Sequence, residues 1–182
     1  MDAENEQGET KEAQEAHLLD LYNSALQAVV RGNSKKATGQ LLEITQSPLF
    51  SGSEGSEQIQ QSLRYNVHKN LAECYNNSGE LLLAEDHFFQ ASQIDRTDVS
   101  LWFSLAGVAA KLGHLHMCRG ALEEGLSCSP NHWPCLENLM TVSFKLDDNM
   151  GCLTYCELAL ERDPEHQKAK LYKSKVTKNM TS

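Results

Sequence analysis

Proline is scarce in this chain, and so are long apolar runs. Four prolines and eleven glycines in 182 residues argue against a disordered chain or one built from many short strands and turns. No apolar stretch approaches the roughly 20 residues that a membrane-spanning helix needs, so we expect no membrane contact. Residues 1–12 are acidic and polar, which argues against a signal peptide and predicts a disordered terminus.

Positive charge is also in short supply. The chain has 16 lysines and arginines against 25 acids, for a net charge of −9. Nucleic-acid binding depends on clustered cations that displace the counterions of phosphates. The only such clusters are Lys35–Lys36 and the lysines of 168–178, and cations are favourable at a helix C-terminus in any case. We therefore expect no direct nucleic-acid binding, whereas an acidic surface would favour basic partners such as histone tails.

Sequence motifs for catalysis or cofactor binding are missing as well. The chain lacks a glycine-rich phosphate loop, a G-x-S-x-G elbow and an H-E-x-x-H helix. His114, His116 and Cys118 lie close together, but a zinc site needs four converging ligands. The six cysteines fit better as free thiols, since free cysteine behaves as a small apolar residue. The sequence predicts no catalytic residue, no metal ligand and no cofactor.

What the sequence does contain is an internal repeat. Blocks starting at Tyr65, Val99 and Trp133 align without gaps at a spacing of 34 residues. This period, with small and large residues in fixed positions, is typical of tetratricopeptide repeats, each a helical hairpin that cannot bury its apolar face alone. The predicted motif positions are Leu71, Ala72, Tyr75, Ala84, Phe88, Ala91, Trp102, Leu105, Ala106, Leu122, Pro130, Leu136, Leu139, Ala159 and Pro164.

The fold class predicted is all-α, an α-solenoid of about four tetratricopeptide hairpins plus a capping helix. The domain should span 13–178, with repeats near 18–51, 65–98, 99–132 and 133–166. The first repeat is the loosest and is followed by a segment rich in Ser, Gly and Glu, 47–57, which predicts a flexible insert. The polar-faced segment 165–178 should cap the last hairpin. A generic helix bundle is the alternative.

First helices of such hairpins line a concave groove that binds other proteins. The register places Lys69, Glu73, Asn76, Phe103, Glu137 and Phe144 on this surface. One subclass of the fold holds the C-terminal carboxylates of chaperones in a clamp of Lys, Asn and Arg. Lys69 occupies a clamp position, but Glu73 stands where the clamp needs Asn. Because its carboxylate would repel the ligand's, we disfavour binding of chaperone tails.

Several strings resemble one known family. They are Lys11-Glu-Ala-Gln-Glu-Ala16 with Leu21-Tyr22, Thr97-Asp-Val99 with Leu101-Trp102, Ala121-Leu-Glu-Glu-Gly-Leu126, and His132-Trp-Pro-Cys-Leu136 with Asn138-Leu139. Together they resemble the N-terminal repeat region of the calcineurin-binding protein cabin, a subunit family of HIR histone-chaperone complexes. The resemblance covers roughly residues 10–176, and the H-W-P-C-L run is its most specific part.

The resemblance implies a nuclear, non-catalytic scaffold. Its partners would be HIR complex subunits and, indirectly, histone H3.3 in nucleosome assembly outside replication. It also implies a link to calcineurin inhibition, an activity of the family's far C-terminal part, so calcineurin is a doubtful partner for this polypeptide. A general repeat adaptor or co-chaperone is the remaining alternative, and the chain could be a fragment or a short isoform.

Overall fold

The computed structural model describes residues 11–50 and 57–181, which consist of helices and short turns without a strand. In chain order the helices are α1 (Lys11–Val30), α2 (Ser34–Thr45), α3 (Glu57–Ser78), α4 (Leu81–Ile94), α5 (Val99–Leu112), α6 (Leu115–Cys128), α7 (Trp133–Lys145), α8 (Asn149–Arg162) and α9 (Gln167–Thr181). Consecutive helices pair as hairpins, α1 with α2, α3 with α4, α5 with α6 and α7 with α8.

The 34-residue period fixes where helices begin. The second helices α4, α6 and α8 start at residues 81, 115 and 149, and the first helices α5 and α7 at 99 and 133. The turn within each of these hairpins contains a residue with positive φ: Gly79 (85°), Gly113 (77°) and Asp147 (58°). Glycine adopts this left-handed conformation without the Cβ clash that other residues meet, and aspartate is among the few that tolerate it.

Some predicted boundaries differ from the observed helices. Helix α1 begins at Lys11 and α3 at Glu57, earlier than the repeats predicted from residues 18 and 65. Of the predicted insert 47–57, residues 51–56 lie outside the described residues, as do residues 1–10 of the predicted disordered terminus. The turn that precedes 51–56 includes Phe50, whose side chain is only 8% exposed, so this part of the insert belongs to the core.

The chain divides into two compact units, residues 1–94 and 95–182. The core of the first unit contains Leu41, Ile44, Leu71 and Phe88, each at most 1% exposed. Beside it, His68 on α3 and His87 on α4 lie with their Nδ1 atoms 3.0 Å apart.

The second unit comprises α5 to α9 around its own core. Polar side chains define where its helices start: Asp98 accepts from the Ser100 and Leu101 amides at the start of α5. His132 accepts from the Cys135 amide at the start of α7, and Asp148 accepts from the Gly151 amide at the start of α8. Such caps satisfy amides that have no partner within the helix.

Helix α9 covers the end of the second unit. Its Ala169 and Val176 are fully buried in a cluster with Leu136, Met140 and Cys156. The segment predicted as a cap, 165–178, thus forms a docked helix at Gln167–Thr181. The predicted motif positions are buried, except for Pro130 and Pro164, which are exposed. The two prolines follow the ends of α6 and α8, where they stop a helix rather than fill the core.

Candidate protein-binding groove

An open groove of about 140 Å³ runs between the first helices of the second unit, with α6 as its floor. It is lined by Phe103, Ala106, Gly107 and Ala110 of α5, Leu115, Cys118 and Leu122 of α6, and Asn138, Thr141, Val142 and Lys145 of α7. Most of these groups are apolar, which is the composition expected of a binding cleft with a few polar groups at its rim.

Small residues on α5 create the space. Gly107 faces the groove, and a Cβ atom built on it meets no atom within 4 Å. Phe103 stands one turn earlier with 37% of its surface exposed, and its ring packs edge-on against His132 at 5.6 Å. The groove therefore has the Phe103 ring on one side, next to open space at Gly107.

Lys145 is the only charged residue among those that line the groove. It lies in the last turn of α7, within electrostatic range of the Cys118 thiol in the floor. Burial raises the pKa of Cys118, and the charge of Lys145 offsets part of that increase. At neutral pH the floor therefore carries a neutral thiol below a positive rim.

The residues predicted for the groove are not all found there. Phe103 lines it. Glu137 instead accepts a hydrogen bond from the His166 ring at 2.9 Å and lies 3.9 Å from the Lys168 ammonium. Phe144 packs against Tyr172 of α9, with ring centroids 5.3 Å apart. The face of α7 that was assigned to the groove thus contacts α9, and the groove is lined by the adjacent face with Asn138 and Lys145.

Lys69, Glu73 and Asn76 belong to α3 in the first unit. The ammonium of Lys69 lies 5.7 Å from the centre of the Tyr65 ring, close enough for a cation–π contact. Glu73 is exposed, while Asn76 is half-buried. An exposed carboxylate at Glu73 leaves the argument against a carboxylate clamp at this position unchanged.

Within the described residues, no group of three or more His, Cys, Asp or Glu side chains is placed to hold a metal ion. None of the described helices is long and apolar enough to cross a bilayer.

Comparison with known proteins agrees with the resemblance inferred from the sequence. The model of the CABIN1 N-terminal domain family matches residues 15–181. Calcineurin-binding protein 1 of Arabidopsis thaliana is 32% identical over 166 residues, which cover 88% of this chain and 9% of that protein. The chain thus spans about a tenth of the length of this relative.

Solved structures show the fold. A tetratricopeptide repeat protein from Parabacteroides merdae superimposes with a TM-score of 0.66 at 16% identity, over 87% of this chain and 58% of that one. YrrB, described as having an unusual peptide-binding site, superimposes with a TM-score of 0.62 at 18% identity, over 90% of this chain and 77% of that one. The first tetratricopeptide repeat domain of Spaghetti (RPAP3), bound to an HSP90 peptide, superimposes with a TM-score of 0.54 at 15% identity, over 71% of this chain and 95% of that one. The predicted all-α tetratricopeptide class is confirmed.

Proposed function

We propose, since this chain belongs to the CABIN1 N-terminal domain family, that it is a non-catalytic scaffold of an HIR-type complex. In this function it would hold other subunits together while the complex assembles histone H3.3 into nucleosomes outside replication, in the nucleus. The family match over residues 15–181 carries the proposal. The groove between α5 and α7 supplies a surface of the kind through which such a scaffold binds.

A second candidate function is regulation of calcineurin. It is favoured by the name of the Arabidopsis relative, calcineurin-binding protein 1. The matched segment is only 9% of that protein, so most of the relative lies outside the region that the two share. We therefore rank this function below the scaffold.

Affinity purification separates the two functions. The full chain, tagged and expressed in its own cells, should recover HIR subunits in near-stoichiometric amounts. Recovery of calcineurin without HIR subunits would support the second function, and recovery of chaperones through their C-terminal peptides would support a general adaptor. A preparation that contains none of the HIR subunits would refute the scaffold proposal.

A pair of phenylalanine variants tests the groove within the same experiment. Phe103→Ala should lower recovery of a groove-bound subunit about tenfold, the loss expected when an aromatic anchor of an interface is truncated. Phe89→Ala is the matched control, because Phe89 is 41% exposed against 37% for Phe103 but lies on α4. Equal recovery with both variants would show that the subunits bind elsewhere.

A further inference from the structure

The charge in the groove is opposite to the charge of the chain. The protein carries a net charge of −9, yet the described residues that line the groove include no carboxylate and one ammonium, that of Lys145. A basic histone tail would gain no ion pair in this groove, although the acidic composition of the whole chain favours such a partner.

Two acidic side chains of the α7–α8 hairpin have partners of their own. Asp148, three residues after Lys145, pairs with Arg119 at 3.1 Å and caps α8 through the Gly151 amide. Glu137 of α7 pairs with His166, the residue before α9. Lys145 forms no ion pair with any of the described residues, so it is available to a carboxylate from outside.

The floor of the groove suits an apolar side chain. Leu115 and Leu122 of α6 form part of it, and Val142 of α7 borders it. Its volume of about 140 Å³ is close to that of an engineered apolar cavity that takes up benzene, roughly 150 Å³. One large aliphatic or aromatic side chain therefore fits beside Phe103.

We propose that the groove binds a partner segment in which a large apolar side chain stands next to an acidic residue, and that it does not bind basic histone tails. The apolar side chain fills the floor between α5 and α7, and the carboxylate pairs with Lys145. This inference rests on the proposed function, because it describes the ligand through which a partner subunit is held.

Selection from a random twelve-residue peptide display library tests the inference on the full chain. Peptides retained by the wild type but not by Gly107→Leu should combine Leu, Phe or Trp with Asp or Glu. The leucine occupies open space in the groove, and loss of a mid-helix glycine favours the helix, so lost binding would not reflect unfolding. Gly39→Leu is the matched control, since a Cβ atom at Gly39 of α2 also meets nothing within 4 Å and Gly39 does not line the groove.

A charge reversal then tests the role of Lys145. Fluorescence anisotropy with the best selected peptide should show at least tenfold weaker binding to Lys145→Glu and unchanged binding to Lys35→Glu, an exposed lysine of α2. Binding to the wild type should weaken as salt is raised, because salt screens exposed ion pairs. A selection repeated on Lys145→Glu should favour peptides with Lys or Arg.

Three results would overturn the inference: selection of basic peptides by the wild type, no peptide that distinguishes wild type from Gly107→Leu, or equal affinity for Lys145→Glu. These are separable from failure of the proposed function. Selective acidic peptides without HIR subunits in the purification would uphold the groove chemistry and refute the assembly. HIR subunits that remain bound to Gly107→Leu would uphold the assembly and refute the groove as the surface that holds them.

Discussion

The neighbouring side chains of His68 and His87 both have pKa values below that of histidine in water. Their rings lie between Phe50 and Tyr75, and a 3.0 Å contact between two Nδ1 atoms requires one donor and one acceptor. Burial, followed by the charges of His87 and Arg64, lowers the pKa of His68 to about 4, against a small opposing effect of Asp86. Burial also lowers the pKa of His87.

Acidification should therefore destabilise the protein. Between pH 4 and 6.5 the unfolded chain binds a proton at His68 more readily than the folded chain does, so stability present above pH 6.5 is lost as the pH falls. Because the ring is partly exposed, solvent screening limits the loss to about 1 kcal/mol between pH 7 and pH 5. Urea titrations at the two values measure the free energy of unfolding.

The variant His68→Gln should reduce this pH dependence, whereas His17→Gln, an exposed position on α1, should retain it. Identical pH dependence in wild type and His68→Gln would contradict the assignment.

Some residue positions could be predicted from the sequence, whereas the surroundings of others could not. The positions of Trp102 and Ala106 could be predicted, because each is set by contacts within a hairpin or with its neighbour in the repeat. The surroundings of Glu137 and Phe144 could not, since they depend on the particular side chains of His166 and Tyr172, which lie at or beyond the end of the last predicted repeat.

Among the elements, α9 determines the surroundings of the α7 face that does not line the groove. It lies against α7 and α8 and stacks His166 on Trp133, with ring centroids 5.0 Å apart. Glu137 and Phe144 contact His166 and Tyr172 on the α9 side of α7, whereas Asn138 and Lys145 line the groove on the α5 side. The contact of Glu137 with His166 repeats that of Phe103 with His132 one 34-residue period later, so α9 takes the place that the first helix of a further hairpin would occupy.

Shortening a buried side chain of α9 tests how firmly the helix is docked. Val176 is fully buried, and Val176→Ala should lower the free energy of unfolding by about 2 kcal/mol, from the lost apolar contact plus the cavity. Thr177→Ala, at an exposed neighbour, should change it by less than about 0.5 kcal/mol. Urea unfolding measures both, and equal values would mean that α9 is not packed as described.

At the scale of the whole molecule, the cysteines report on the integrity of both units. Cys128 alone is exposed, and the other five thiols are buried. Burial raises the pKa of Cys135 to about 11 and that of Cys156 to about 12. A thiol reacts as its thiolate, so a buried thiol with a raised pKa reacts slowly.

A chromogenic disulfide reagent should therefore modify one of the six thiols rapidly in the native protein at about pH 8, and all of them in denaturant. The fast reaction should disappear in Cys128→Ser. Rapid modification of several thiols in the native wild type would indicate that a unit opens much more readily than its buried core suggests.

The sequence by itself determined the repeated hairpins, the absence of strands from the described ranges and the kinship with one family. It could do so because the 34-residue spacing places small and large side chains in contacts that are local to each hairpin or its neighbour. Only the tertiary structure decided which face of α7 is open and that the groove is positive in an acidic chain. Both depend on which side chains the packed helices bring together, such as His166 with Glu137 and Arg119 with Asp148, and the spacing alone does not specify the chemistry of these pairs.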